Sequence, residues 1–271
     1  MQSVPRNIWQ GLIEFPLPGR SRKPRKDGLT MVIDKGLGLV HTRGLMRLAA
    51  AYIDLIKLGF GTAGLYKTEI LREKIRLARS FDIDLCPGGT FFEVAVLQGK
   101  LQEYLLLAKE LGFTAIEVSD GTIELSDRKR SHAIALAAGQ GLKVFTEVGK
   151  KEPGNALCFK DLIRLVRRDL NSGAGYVIVE GRDPAKDVGL YDSEGRLIEF
   201  ELNELVAALK DPSVLIWEAP EKEQQQDLIR RFGGNVNIGN VSPREVLALE
   251  ALRVGLRSDT LKTAGAAISL T

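Results

Sequence analysis

Eight short apolar segments recur along the chain, and longer stretches with helical periodicity separate them. Each segment has four to six residues and is continuously apolar rather than alternating, as strands buried on both faces are. We predict strands at Leu29–Asp34, Ile53–Leu58, Asp82–Cys86, Ala115–Val118, Lys143–Val148, Tyr176–Glu180, Val214–Glu218 and Asn235–Ile238. Strands separated by helices in this way favour a parallel sheet with right-handed crossovers.

The intervening segments place apolar residues on one face of a helix and charges on the other, most clearly in Glu69–Ser80 and Phe159–Asn171. Further helices are predicted at Ser126–Ala138, Glu199–Lys210, Glu221–Phe232 and Pro243–Leu256. Gly112 and Gly233 stand just before predicted strands, which is typical of a helix C-terminal cap. Ser242 is the predicted N-cap of the last helix.

An eight-stranded parallel sheet can stay open or close into a barrel. The strands are evenly spaced and no change of composition marks a second domain, so we predict an α/β fold of one domain, a (β/α)8 TIM barrel. Its predicted divisions are an N-terminal arm at 1–28, the barrel at 29–260 and a C-terminal tail at 261–271. The arm is predicted to lie across the barrel bottom or against a neighbouring subunit.

Composition excludes several classes of partner. The net charge of the 271 residues is only +3, so neither a nucleic acid nor an anionic membrane is expected as a partner. No apolar run approaches the roughly 18 residues needed to cross a bilayer. Cys86 and Cys158 lie far apart without a CxxC spacing, which favours reduced thiols and a cytoplasmic location.

Charged and amide side chains stand at the C-terminal ends of most predicted strands. They are Lys35, Lys57, Glu117, Glu147, Lys150, Lys151, Glu180, Arg182, Glu218, Asn237 and Asn240. In a closed barrel these ends meet at one rim, where barrel enzymes hold their active sites. Structural ion pairs between neighbouring strands are the alternative, but so many buried charges are costly unless they serve a purpose. We therefore predict an active site at this rim.

The mixture of carboxylates and cations at the rim suits a divalent cation together with an anionic substrate. Glu180 and Glu218 are the predicted ligands of Mg²⁺, which prefers oxygen donors. The predicted substrate-binding residues are Lys35, Lys57, Lys150, Arg182, Asn237 and Asn240. The two histidines, His41 and His132, are not at strand ends, so a histidine-rich zinc or iron site is not expected.

Two glycine-rich segments leave alternatives open. Gly59–Gly64 matches GxGxxG after a strand, but no acidic residue ends a strand about 20 residues later, so a tight turn is favoured over a dinucleotide site. Pro87-Gly88-Gly89-Thr90 follows the third strand and offers backbone N–H groups to an anion, with a plain turn as the other interpretation.

The order of the motifs carries a family resemblance. They are Asp34-Lys35-Gly36, Tyr52-Ile53-Asp54, Lys57–Thr62, Pro87–Thr90 with Phe92-Glu93, Glu117–Gly121, Glu147–Lys151, Val179–Arg182, Glu218-Ala219-Pro220 with Gln224-Gln225, Asn235–Asn237 and Gly255–Thr260. Together, over 28–260, they resemble the phosphosulfolactate synthase family of coenzyme M biosynthesis. Three parts depart from it: the eighth-strand motif, Asn237-Ile238-Gly239-Asn240, the segment after Asp120-Gly121, and the segment 181–195.

The resemblance implies a homo-oligomeric lyase that adds sulfite to phosphoenolpyruvate, with Mg²⁺, to give (2R)-phospho-3-sulfolactate. It also implies that Lys151 is the general acid that protonates C2 of the substrate. We assign Glu117 and Glu147 as further catalytic candidates, which would ligate the metal or orient the lysines.

Two other functions stay open. One is a different Mg²⁺-assisted lyase or isomerase acting on a phosphorylated carboxylic acid. The other is a barrel without catalytic activity that serves a stress-associated role.

Overall fold

The structure is a computed structural model that describes residues 8–149, 159–180 and 199–261. Eight strands alternate with helices along the described chain. The strands are β1 (Thr30–Asp34), β2 (Leu55–Leu58), β3 (Asp84–Cys86), β4 (Ala115–Val118), β5 (Lys143–Val148), β6 (Tyr176–Val179), β7 (Leu215–Glu218) and β8 (Ile238–Val241). The helices are α1 (Leu39–Ala49), α2 (Thr68–Arg79), α3 (Gly89–Leu97), α4 (Leu101–Leu111), α5 (Asp127–Gly139), α6 (Phe159–Asn171), α7 (Glu199–Ala208), α8 (Lys222–Phe232) and α9 (Val246–Arg253).

The strands form one parallel sheet in the order β3-β2-β1-β8-β7-β6-β5-β4. Pairing of β1 with β8 brings the first and last strands together, as closure of a barrel requires. The two end strands, β3 and β4, are linked by a hydrogen bond of 3.1 Å from the Leu85 N–H to Thr114 Oγ1. The predicted single-domain (β/α)8 barrel is therefore confirmed, with a nearly closed sheet.

The barrel interior is filled by alternate residues of the strands, because successive side chains point to opposite faces of a sheet. An apolar cluster fills its lower part and consists of Leu29, Met31, Leu55, Cys86, Ala115, Phe145, Ile178 and Ile216. A second, larger apolar cluster lies between the outer faces of the strands and the helices. Two residues beyond the inner cluster, several strands present a charged side chain on the same inward face.

Most predicted strands agree with the structure to within two residues, and β4 and β5 have the predicted bounds. The eighth is wrong, since the strand predicted at Asn235–Ile238 runs from Ile238 to Val241. The Asn237 amide hydrogen-bonds backbone groups of neighbouring segments, so this residue precedes the regular ladder.

The helix predictions are confirmed for α6 and are displaced by one or two residues for α2, α5, α7 and α8. The last helix is wrong at its start, because Ser242 O accepts the Glu245 N–H in a turn and α9 begins only at Val246. The sequence patterns described above predict no helix at α1, α3 or α4. Within the described ranges, no helix has the length and apolar character needed to cross a membrane.

The described part of the N-terminal arm lies across the barrel bottom, at the N-terminal ends of the strands. Arg20 pairs with Glu250 at 2.9 Å, and Arg25 pairs with Asp54 just before β2, also at 2.9 Å. The Lys26 carbonyl accepts a hydrogen bond of 3.1 Å from the hydroxyl of Tyr176, the first residue of β6. The arm therefore covers the end of the barrel opposite to the predicted active site.

Candidate active site

A cavity of about 420 Å³ opens at the C-terminal ends of the strands. Its walls include Lys35, Lys57, Glu147, Glu180, Glu218 and Asn240, which come from six different strands or the residues that follow them. Its volume lies in the range of small-molecule binding sites. Six of the predicted site residues thus converge on one cavity.

Lys57 lies at the centre of the buried charges. Its ammonium nitrogen is 2.8 Å from Glu218 Oε1, 3.3 Å from Glu117 Oε2 and 3.7 Å from Glu147 Oε2. All four side chains are almost completely buried. Lys57 thus connects β2 to β4, β5 and β7 through the barrel interior, instead of pointing only into the space where a substrate would bind.

The electrostatics of this cluster fix the charge of Lys57. Burial by itself would lower the pKa of the Lys57 ammonium, but Glu117, Glu218 and Glu147 outweigh the desolvation and hold that pKa well above its ordinary value of 10.5. Lys57 is therefore a permanent cation at neutral pH. A group that holds its proton so firmly is poorly suited to be a general acid.

Glu147, Glu180 and Glu218 form the group best suited to a metal ion. Each offers one carboxylate oxygen, and these oxygens lie within 4.8 Å of one another. Three buried carboxylates at this spacing match the oxygen donors that a hard divalent cation prefers. The structure therefore places Glu147, which we assigned a catalytic role, with the two residues predicted as metal ligands.

Glu117 is held by the glycine-rich segment that follows β3. The backbone N–H of Gly89, the first residue of α3, donates a hydrogen bond of 3.0 Å to Glu117 Oε1. A Cβ atom at position 89 would lie 2.5 Å from that oxygen and 2.6 Å from Ser119 Cβ. Gly89 is therefore required by close approach, and the anion that its amide binds is a carboxylate of the protein itself.

Ser119 and Glu93 belong to the same buried network, although neither was among the predicted site residues. Ser119 Oγ lies 2.7 Å from Glu93 Oε1 and 2.9 Å from Glu147 Oε1. The hydroxyl therefore links Glu147 on β5 to Glu93 on α3. Ser119 follows Glu117 by two residues and so shares its inward face, which is the sequence signal that identifies it.

Lys35 and Phe60 lie at the mouth of the cavity. Lys35 follows β1, is exposed, and has its ammonium nitrogen 5.2 Å from the centre of the Phe60 ring. Phe60 is 65% exposed and has a backbone φ of +56°, an unfavourable conformation for a residue with a bulky side chain. The Gly59–Gly64 segment is a turn at the rim, as predicted, and it ends in a short 3₁₀ helix at Thr62–Leu65.

Asn237, which precedes β8, and Asn240, within β8, face opposite ends of the barrel. Asn240 lines the cavity, and its side-chain oxygen is buried without a hydrogen-bonding partner in the described part of the chain. Asn237 instead accepts the Leu29 N–H and donates to the carbonyls of Ser213 and Leu215 at the barrel bottom. The predicted rim position of Asn237 is therefore wrong, because β8 starts three residues later than predicted.

Three predicted site residues, Lys150, Lys151 and Arg182, lie outside the described residues. Cys158 also lies outside the described residues.

Cys86 is a buried free thiol in the barrel interior. Burial, and next the charge of Glu117, raise the pKa of the Cys86 thiol far above its ordinary value. Cys86 is thus an unreactive part of the interior.

The sequence matches the model of the (2R)-phospho-3-sulfolactate synthase (ComA) family over residues 18–259. The chain is 44% identical over 250 residues to the phosphosulfolactate synthase of Methanothermobacter thermautotrophicus, covering 92% of this chain and 96% of that protein. It is 35% identical over 246 residues to the phosphosulfolactate synthase of Bacillus subtilis, covering 90% and 96% respectively.

Among solved structures, the YdjI aldolase of Escherichia coli K12 superposes with a TM-score of 0.56. The match covers 90% of this chain and 91% of the aldolase, at 14% sequence identity. At so low an identity the likeness bears on the fold alone.

Proposed function

The chain belongs to the (2R)-phospho-3-sulfolactate synthase family, and we propose that it adds sulfite to phosphoenolpyruvate, in the presence of Mg²⁺, to give (2R)-phospho-3-sulfolactate. Membership of the family makes it an enzyme of the phosphosulfolactate synthase type. The substrates and the metal are the proposal. The observation that carries the proposal is the carboxylate group Glu147, Glu180 and Glu218 beside the cation Lys57, all in one cavity.

Glu147, Glu180 and Glu218 would hold the metal ion, since their oxygens suit Mg²⁺ and their spacing allows a shared cation. When bound there, Mg²⁺ would supply Lewis-acid stabilisation of the negative charge that develops on the substrate carboxylate. Lys57 would hold two of these carboxylates in place through its contacts with Glu147 and Glu218.

Phosphoenolpyruvate carries a carboxylate and a phosphate group, and sulfite is also an anion. Positive charge and hydrogen-bond donors are therefore needed to bring the two substrates together. Lys35 at the mouth would bind one of the anionic groups, and the Asn240 amide would donate a hydrogen bond from the neighbouring strand β8. Lys150 and Arg182 remain predicted contributors of further positive charge.

Sulfite attack at C3 leaves a carbanion equivalent at C2, which must then gain a proton on one face. Lys57 cannot supply it readily, because its carboxylate neighbours hold its pKa too high. Lys151, which follows β5 by three residues, remains the predicted donor by family resemblance. Lys151→Ala should fold normally and form no product, and a wild-type rate for this variant would refute that role.

The reaction can be tested by incubating the purified chain with phosphoenolpyruvate, sulfite and MgCl₂ and following the ³¹P spectrum. We expect the enol phosphate signal to be replaced by that of an alkyl phosphate, only when all three are present. Conversion with another nucleophile, or exchange of the C3 protons without sulfite, would instead indicate a different lyase or isomerase. No binding of phosphoenolpyruvate with Mg²⁺ would favour a barrel without catalytic activity.

We also propose that the protein is a homo-oligomer, as the family resemblance implies. Light scattering coupled to size exclusion tests this: a mass of one chain, 29.7 kDa, at micromolar concentration would contradict it.

A further inference from the structure

A buried ion pair lies behind the loop that carries Lys35. The Lys74 ammonium, on α2, is 2.5 Å from Asp34 Oδ2 at the end of β1. Both side chains are almost completely buried, at 1% and 2% exposure. Lys74 is not among the residues that line the cavity, so it does not belong to the substrate-binding surface.

The pair holds the loop after β1 through two sets of contacts. Asp34 Oδ1 accepts the backbone N–H groups of Gly36 and Leu37, at 2.8 and 2.7 Å. Lys74 donates to the Leu37 carbonyl at 2.6 Å as well as to Asp34. Lys35 stands between the residues that are fixed in this way.

The rest of the surroundings make this arrangement rigid. Lys74 also lies 4.9 Å from the centre of the Tyr66 ring and 3.3 Å from Thr42 Oγ1 on α1. The Asp34 carbonyl accepts the Gly59 N–H at 2.9 Å, which ties the loop to the turn that carries Phe60. A fully desolvated ion pair is costly to build, so a role in positioning accounts for its presence better than a gain in stability does.

We propose that Lys74 is a positioning residue for Lys35: through Asp34 and Leu37 it fixes the backbone on both sides of Lys35, so that the Lys35 ammonium is preorganised at the cavity mouth to bind an anionic group of the substrate. This inference rests on the proposed function for the identity of the substrate. Preorganisation lowers the entropy lost when a flexible lysine binds, so its removal weakens substrate binding more than it slows the chemical step.

The test uses the double variant Asp34→Asn/Lys74→Met. Lys74→Met alone would leave a buried carboxylate without its cation and so destabilise the fold strongly. The double variant removes both charges and keeps an oxygen at position 34 for the Gly36 and Leu37 amides. We expect the KM for phosphoenolpyruvate to rise about tenfold, with kcat within about twofold of the parent. Arg76→Met, an exposed change on the same helix, is the matched control.

The decisive comparison repeats the double variant in a Lys35→Met background. If Lys74 acts through Lys35, the KM of Lys35→Met is already raised and does not rise further. An unchanged KM in the double variant, or an additive rise in the Lys35→Met background, would overturn the inference.

A readout without activity separates this inference from the proposed function. The oxygen kept at position 34 is uncharged, and the Lys74 contact with the Leu37 carbonyl is lost in the double variant. Hydrogen exchange of the Gly36 and Leu37 amides should therefore be about tenfold faster in the double variant than in the parent or in Arg76→Met. If the parent has no sulfite-adding activity, the proposed function fails, and the hydrogen-exchange rates alone then test the positioning role of Lys74. An unchanged exchange rate overturns that role.

Discussion

The ammonium nitrogen of Lys57 on β2 lies 2.8 Å from Glu218 Oε1 on β7, so a single buried contact joins two strands that are not neighbours in the sheet. Glu117 and Glu147 approach the same ammonium from β4 and β5. The floor of the cavity is therefore one electrostatic unit built from four strands. Its geometry depends on closure of the barrel, which brings these strand ends within reach of one lysine.

Removal of the central cation should destabilise the fold strongly. Lys57→Met leaves three buried carboxylates without their shared partner, and we expect a loss of about 3–5 kcal/mol in the free energy of unfolding. Lys143→Met, which removes a largely exposed lysine that pairs with Asp84, should cost no more than about 1 kcal/mol. Urea unfolding measures both, and equal losses would contradict the central role of Lys57.

The loss in Lys57→Met should also be the same at pH 7 and pH 9. The folded-state pKa of Lys57 is raised above 10.5, so its stabilising effect is complete below the unfolded value and is lost only as the pH rises through the folded one. A loss that shrinks between pH 7 and 9 would show that Lys57 releases its proton in that interval.

Neutralising one member of the carboxylate group should weaken the response to the metal. Glu180→Gln keeps the size of the side chain and removes its charge, so we expect the Mg²⁺ concentration for half-maximal activity to rise at least about tenfold. The control is Glu223→Gln, a change at a side chain that is 75% exposed on α8. An unaltered Mg²⁺ requirement in Glu180→Gln would exclude Glu180 as a ligand.

A methyl group at position 89 should disturb the site directly. Gly89→Ala would push Glu117 away from the α3 amide, and we expect at least a tenfold loss of kcat/KM with a destabilisation of about 1–3 kcal/mol. Gly139→Ala is matched to it, because Gly139 is also helical but has open space around its added Cβ. Gly139→Ala should be neutral or stabilising by up to about 1 kcal/mol. Equal kcat/KM and equal stability of the two variants would show that the close approach at Gly89 does not matter for activity.

Variants of Asn237 and Asn240 should distinguish a contribution to stability from a contribution to substrate binding. Asn237→Ala removes three hydrogen bonds at the barrel bottom, two of them buried, and should cost about 2–4 kcal/mol, while the folded protein keeps its kcat/KM. Asn240→Asp should leave stability within about 1 kcal/mol and raise the KM for phosphoenolpyruvate, because it places a negative charge beside an anionic substrate. A loss of kcat/KM in Asn237→Ala without a loss of stability would instead indicate that Asn237 belongs to the active site.

Much of this site could be predicted from the sequence because strand side chains alternate. Ala115 and Glu117 differ by two residues, as do Phe145 and Glu147, so in each pair both point into the barrel and the charged one lies nearer the rim. Parallel strands then bring their C-terminal ends to one side. The fold and the convergence of the glutamates follow from these two rules.

Other features depend on distances that no local pattern contains. The amides of Asn237 and Asn240 look equivalent in the sequence, and only their backbone partners show which end of the barrel each occupies. The contact between Lys74 and Asp34 joins residues 40 positions apart in the chain. The sequence of α2 indicates an amphipathic helix, but it does not indicate that Lys74 is buried or which residue it contacts. Lys57 is a predicted substrate-binding residue, but the structure shows that its ammonium contacts three carboxylates from strands across the barrel.

The central claim is that side chains from separate strands form one site for a metal ion and an anionic substrate. Calorimetric titration of the purified chain with phosphoenolpyruvate, with and without MgCl₂, tests this most directly. We predict saturable binding at one site per chain with Mg²⁺ present, and binding at least about tenfold weaker without it. Equal affinity under both conditions, or no binding under either, would contradict the account.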